Sequence, residues 1–146
     1  MLSQRAKYAL KAMIALARHR GPEPLSVTDI AEQANVPRAF LEQIVSDLKR
    51  RNLLISRRGA QGGFRLAKLP KDISFADVIR HVDGPLALAP CASKTAYRPC
   101  PECRDVKTCE LRKTLIAARD ATAAILENTS LADALKRRAT KARKLL

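Results

Sequence analysis

Residues 26–68 read SVTDIAEQANVPRAFLEQIVSDLKRRNLLISRRGAQGGFRLAK, and the way this stretch divides decides the fold. Ser26 is a good N-cap for a short helix over about 27–34, with Asp29 in the first turn, where the helix dipole favours an acid. The break Ala34-Asn35-Val36 is short. Pro37 then opens a second helix, to about Arg51, at the position where proline is best tolerated. Phe40, Leu41, Ile44, Val45 and Leu48 can face a core, which leaves Arg38, Gln43, Asp47, Lys49, Arg50 and Arg51 for other faces. Two short helices joined by a tight turn, the second polar on one side and basic at its end, make a helix-turn-helix. Residues 53–58 and 64–68 then read as two strands around Gly59-Ala60-Gln61-Gly62-Gly63, a β-hairpin placed as a wing. Its glycines permit positive φ and close backbone approach. Arg57, Arg58 and Arg65, on or beside it, suit contact with phosphate or a minor groove.

Upstream, 3–19 reads as a helix with Ala6, Leu10, Met13, Ile14, Leu16 and Ala17 as an apolar stripe, stopped by Gly21-Pro22. Downstream, Ser74 caps a helix to about Val82, and Gly84-Pro85 ends it. Periodicity is lost from Leu86 to Cys109 and returns from Glu110 to about Glu127. There Leu111, Leu115, Ala118, Thr122 and Ile125 recur at alternating steps of four and three, a narrow seam suited to a partner chain. The fold expected is mainly α: a winged helix-turn-helix domain at 1–84, a cysteine loop at 85–109, a dimerisation helix at 110–128, and a short helix with a basic tail at 129–146.

The 146 residues suit one domain with appendages. An apolar content of 47% excludes a wholly disordered polycation, and 3% aromatics with no Trp argue against a stacking platform for single strands. No apolar run approaches the ~20 residues of a membrane span, and the start lacks an unbroken signal-peptide core. A soluble, cytoplasmic protein with an acidic partner and no membrane is expected. The 28 Lys and Arg exceed the 14 Asp and Glu by 14. Residues 1–80 hold eight of those units, 81–135 are neutral, and 136–146 hold six basic side chains and no acid. No nucleophile–base constellation is present, and the glycine loop lacks the Gly-Lys-Ser/Thr ending of a phosphate loop, so no enzyme is expected.

Cys91, Cys100, Cys103 and Cys109 are the only cysteines, spaced C-x8-C-x2-C-x5-C. Structural disulfides are disfavoured in a reducing compartment. Zinc on four thiolates, an iron–sulfur cluster on a flexible loop and free redox-active thiols all remain open. Only Cys100 and Cys103 form a close C-x-x-C knuckle. His19 and His81 lie outside the loop; His19 reads as a helix-end cation beside Arg18 and Arg20, and His81 as an ordinary helix residue.

Ser3-Gln4-Arg5-Ala6-Lys7-Tyr8-Ala9-Leu10, Phe40-Leu41-Glu42-Gln43-Ile44, Arg58-Gly59-Ala60-Gln61-Gly62-Gly63-Phe64 and Val82-Asp83-Gly84-Pro85, followed by a cysteine loop and a long helix, resemble the Rrf2 family of bacterial winged-helix transcription regulators. The resemblance implies a homodimer on a palindromic operator in double-stranded DNA, and the activity expected is that of a repressor. It places Arg38, Phe40, Glu42 and Gln43 at or near the major groove and Arg58, beside Arg57, at the minor groove, with Gly62 and Gly63 shaping the wing. Gln can pair bidentately with adenine, and Glu42 can accept from cytosine or bond within the protein. In the sensing branch of the family, three loop cysteines hold an iron–sulfur cluster. Cys91, Cys103 and Cys109 fit those positions here, and Cys100 is an additional thiol. Some members have a histidine ligand where Arg112 stands, and others an acidic ligand where Tyr8 stands. The implied cluster is therefore all-cysteine, on Cys91, Cys100, Cys103 and Cys109, with zinc or free thiols as alternatives and iron, redox or nitrosative state as the signal.

Overall fold

A computed structural model describes residues 2–136. Ser3 caps α1 (Gln4–Arg18), its hydroxyl accepting from the Ala6 amide. The expected apolar stripe is too narrow. Ala6, Ala9, Leu10, Ala12, Met13, Ala15, Leu16 and Ala17 are all buried, so α1 is a central rod rather than a half-exposed surface helix. Its alanines let the flanking helices approach: α2 (Val27–Ala34), α3 (Arg38–Arg50) and α4 (Phe75–Val82) all pack against it.

Both ends of α3 are bounded by asparagines with positive φ, Asn35 at 50° and Asn52 at 58°. Each sits where a left-handed residue ends a helix. After α2 the Val36 amide reaches back to the Ala31 carbonyl at 3.0 Å, and after α3 the Leu53 amide reaches the Leu48 carbonyl at 3.0 Å. Asn is among the few non-glycine residues that take this conformation readily. Pro37 is the cap residue before α3, with extended backbone (φ −59°, ψ 130°), rather than its first helical residue. Leu41, Ile44, Val45 and Leu48 are buried, as their spacing requires. Phe40 is not; it is 62% exposed, because it falls outside the stripe those four define.

Strands β1 (Leu54–Arg57) and β2 (Gly63–Leu66) form the antiparallel hairpin, in register Leu54 with Leu66 and Arg57 with Gly63. The hairpin is anchored to the segment before α2. Leu25 donates to the Phe64 carbonyl at 3.0 Å and accepts from the Phe64 amide at 2.8 Å. A short turn at Pro70–Asp72 leads to α4, and Ser74 with Asp77 forms a capping box like that of Ser26 with Asp29.

The last long helix, α5 (Glu110–Glu127), has the expected bounds, and its N-cap is Cys109, whose sulfur accepts from the Arg112 amide. Beyond it the chain returns to the first domain. Thr129 accepts from the Phe75 amide at 2.9 Å, Leu131 donates to the Ile73 carbonyl at 3.0 Å, and Leu131 is fully buried in the core. Residues 131–136 are helical, and the remainder of the basic tail lies outside the described residues. Among the described residues no helix is long and apolar enough to cross a membrane.

Candidate nucleic-acid interface and cysteine loop

The outer face of α3 carries the side chains that the sequence singles out. Arg38, Phe40, Glu42 and Gln43 are all exposed, around its first turn and a half. Arg38 Nε donates to Glu42 Oε1 at 3.1 Å, an i,i+4 pair that preorganises both groups while leaving them open to solvent. Glu42 is thus bonded within the protein, and it remains able to accept a further hydrogen bond. Phe40 lies beside Tyr8, with ring centroids 6.1 Å apart and planes tilted by 51°. This contact joins α1 to the exposed start of α3.

In the wing, Arg57 is engaged rather than open: its Nη1 donates to Glu23 Oε2 at 2.8 Å. Arg58 opens the loop and has no ion-pair partner among the described residues. The Gly62 amide donates to the Gly59 carbonyl at 2.9 Å, closing the turn. A Cβ on Gly62 would stand 2.4 Å from the Arg57 carbonyl oxygen, and one on Gly63 would stand 2.2 Å from that of Leu25. Both glycines are required by backbone proximity: one inside the wing, the other between the wing and the segment preceding α2.

The cysteine loop is held by α5. Arg112 Nε donates to the Cys91 carbonyl at 2.8 Å, and its guanidinium carbon lies 5.9 Å from the centre of the Tyr97 ring. Two helical turns on, Arg119 is only 11% exposed; it donates to the Ala92 carbonyl and, through Nη2, to Asp120 Oδ1 at 2.8 Å. Lys94 Nζ reaches the same Asp120 oxygen at 3.1 Å. Hydrogen bonds from Arg119 first, then from Lys94, hold the Asp120 carboxyl below its usual range. Neither arginine was legible as a structural anchor, since an arginine on a helix ordinarily reads as a solvated charge.

All four cysteines are free thiols and partly buried. Partial burial is the chief cause that raises the Cys103 thiol above its ordinary range, followed by the charge of Cys109, a hydrogen bond with it, and the charge of Cys100. The Cys103 amide donates to the Cys100 carbonyl at 3.2 Å, while Cys91 is tied by its backbone carbonyl to Arg112. The donors are soft and suit iron–sulfur or zinc, but among the described residues no group of three or more His, Cys, Asp or Glu is disposed to hold a metal ion. Tyr8, 6.1 Å from Phe40, packs at the edge of the core. His19 bonds to the Glu23 carbonyl at 2.9 Å, and His81 is an exposed residue of α4.

This order of elements, with an exposed polar helix beside an arginine-bearing wing, is matched across residues 2–137 by the family model for Rrf2, described as an iron-dependent transcriptional regulator. The chain belongs to the Rrf2 family. An Rrf2-like HTH-type transcriptional regulator of Rhodobacter capsulatus is 38% identical over 138 residues, covering 92% of each chain. Among solved structures, the global cysteine regulator CymR of B. subtilis superposes with a TM-score of 0.75 at 32% identity, over 94% of this chain and 97% of that one. IscR of T. potens superposes with a TM-score of 0.74 at 29% identity, over 94% and 88%. The protein is a winged-helix transcription regulator of the Rrf2 family, and its relatives are regulators rather than enzymes.

Proposed function

We propose that the protein is a homodimeric, cytoplasmic repressor that binds a palindromic operator and whose DNA affinity is set by its cysteine loop. The observation that carries this reading is the pairing of an exposed α3 face, Arg38, Phe40, Glu42 and Gln43, with a wing loop whose Arg58 has no ion-pair partner among the described residues. A helix of this size fits a major groove, and an arginine beside it suits a narrow minor groove. The exposed seam of α5, with Leu111 69% and Ile125 65% accessible, supplies an apolar surface for a second copy. Its neighbouring face, including Ile116, Arg119 and Leu126, is occupied by the chain itself. Half-sites about one helical turn apart make binding sensitive to the spacing of two recognition helices, which a change in the loop can alter through α5.

For the signal, the soft donors Cys91, Cys100, Cys103 and Cys109 suit an iron–sulfur cluster by their chemistry, and the loop would have to draw them together to hold one. When bound, it supplies one-electron redox chemistry and sensitivity to oxidants and nitric oxide. Cys109 does double duty as the N-cap of α5, so a change at its sulfur acts on the first turn of that helix. A second reading rests on the four free, partly buried thiols gathered in one loop, which make it responsive to thiol chemistry with no metal at all. Zinc would fill the same donors as a structural alternative. Anaerobic reconstitution separates the three. Charge-transfer absorption with bound iron supports the cluster, whereas colourless protein with zinc or no metal by elemental analysis removes it. For DNA, an operator selected from random duplexes should bind Arg58→Ala about 10-fold more weakly, within the ~1–3 kcal/mol of a good contact. Unchanged affinity would take the wing out of the mechanism.

A further inference from the structure

Arg112 touches the cysteine loop at its beginning, middle and end. Its Nε donates to the Cys91 carbonyl at 2.8 Å, its guanidinium lies over Tyr97 at 5.9 Å, and its amide donates to the Cys109 sulfur at 3.4 Å. The side chain thus holds Cys91 and Tyr97, while the bond to Cys109 is made by the backbone amide of the same residue and caps α5. Arg119 grips only the Ala92 carbonyl, and its further bonds go to Asp120 on its own helix. The nineteen residues from Cys91 to Cys109 thus form a loop whose two ends meet at the first turn of the helix whose exposed seam would meet a second copy.

We propose that Arg112 is the positioning residue that transmits the chemical state of the loop thiols to α5. This inference rests on the sensor reading of the loop given above. The physical reason is that the Arg112 contacts are made to backbone and sulfur of the sensing residues themselves. A bulky or newly bonded group at Cys109 displaces the acceptor of the Arg112 amide, and a shift of the Cys91 turn pulls on the guanidinium. Either movement acts on the same residue of α5. The planar fork is needed because one guanidinium donates in its plane to a carbonyl and presents its face to an aromatic ring, which an ammonium does not do with the same geometry. Loss of Arg112 should leave the DNA-binding face intact, since Arg38, Glu42, Gln43 and Arg58 make no contact with it.

The test uses the full-length dimer, a selected operator, and methyl methanethiosulfonate as the thiol probe. Each thiol becomes a methyl disulfide with release of methanesulfinic acid, and reductant reverses the change. Operator affinity is measured before and after modification for wild type, Arg112→Met and Arg112→Lys. Wild type is expected to change by at least about fivefold, the lower end of ordinary site-to-site coupling. Arg112→Met is expected to match the reduced wild type within about twofold and to lose the response, with Arg112→Lys recovering only part of it. Amide exchange on the same variants should show faster opening at Pro90–Ala92 and at the first turn of α5, with α3 unchanged. An Arg112→Met protein that keeps the full response overturns the coupling role while the sensor reading stands. A wild type that does not respond overturns the sensor reading and the coupling with it. If Arg112→Met has lost basal operator affinity together with protection in α3, the residue is structural and the proposal fails.

Discussion

Gly63 fixes where the wing lies. Its place 2.2 Å from the Leu25 carbonyl, measured from where a Cβ would be, leaves no room for any side chain unless two hydrogen-bonded backbones separate. Gly63→Ala should therefore lower stability by about 1–3 kcal/mol, the range for a disruptive single substitution, seen as a lower denaturant midpoint with unchanged slope. A midpoint equal to wild type would mean that the wing is not held against Leu25. At the start of α3, Gln43→Ala should relax recognition at one base pair per half-site by about 1–3 kcal/mol, leaving the other positions unchanged in competition against single-base operator variants. Residue roles of this kind were only partly visible beforehand. The glycines of the wing were legible because Arg58-Gly59-Ala60-Gln61-Gly62-Gly63 interrupts an apolar alternation. Phe40 was counted with the core because it adjoins Leu41, and only the fixed rotation of α3 against α1 turns it outward beside Tyr8.

At the scale of elements, three Ser-x-x-Asp boxes start helices in this chain. Ser26 with Asp29 and Ser74 with Asp77 are readable from local sequence, whereas Ser130 with Asp133 is not. Its function depends on the non-local pairing of 129–131 with 73–75, which no short window contains. The Asp133 carboxyl is held below its ordinary value of 3.8, first by the Ser130 hydroxyl, then by its amide. A depressed value in the fold means that the contribution is present above 3.8 and is lost as pH falls through the lower folded value. Amides of 131–136 should accordingly lose exchange protection below about pH 4, before α1 does, and Ser130→Ala should abolish that extra acid sensitivity. The bounds of α5 were legible because the cysteines end just where its periodicity begins, yet its two faces were not equally so. The seam at Leu111, Leu115 and Ile125 showed in the spacing, while the adjoining face is defined by partners in the loop and in α4. Leu111→Glu with Ile125→Glu should give a 16.1 kDa monomer by sedimentation with helix content retained. A dimer that persists would assign the second-copy surface elsewhere.

For the molecule as a whole, the excess of fourteen positive charges resolves into paired and unpaired cations. Between 47 and 71, Arg50 is neutralised by Asp47, which also takes Arg5, and Arg57 is neutralised by Glu23. Lys49, Arg51, Arg58, Arg65, Lys68 and Lys71 make no ion pair among the described residues, so the field of the folded domain comes from the end of α3, the wing and the turn after it. The other concentration is Arg137, Arg138, Lys141, Arg143 and Lys144, in the tail outside the described residues. These two sources should differ in what they do on DNA. Charges fixed beside a recognition helix stand at a set register, so removing one weakens the operator and other duplexes in different proportion. Phosphate contacts carry no sequence information, and each phosphate neutralised contributes about −0.9 to the slope of log affinity against log salt. Deleting 137–146 should therefore flatten that slope for random duplex by up to about 4.5 and weaken such binding strongly at low salt. The ratio of operator to random affinity should stay equal or rise, because the contacts that read bases remain. A fall in that ratio would show that the tail takes part in recognition, and the charge of the folded domain alone would no longer account for specificity.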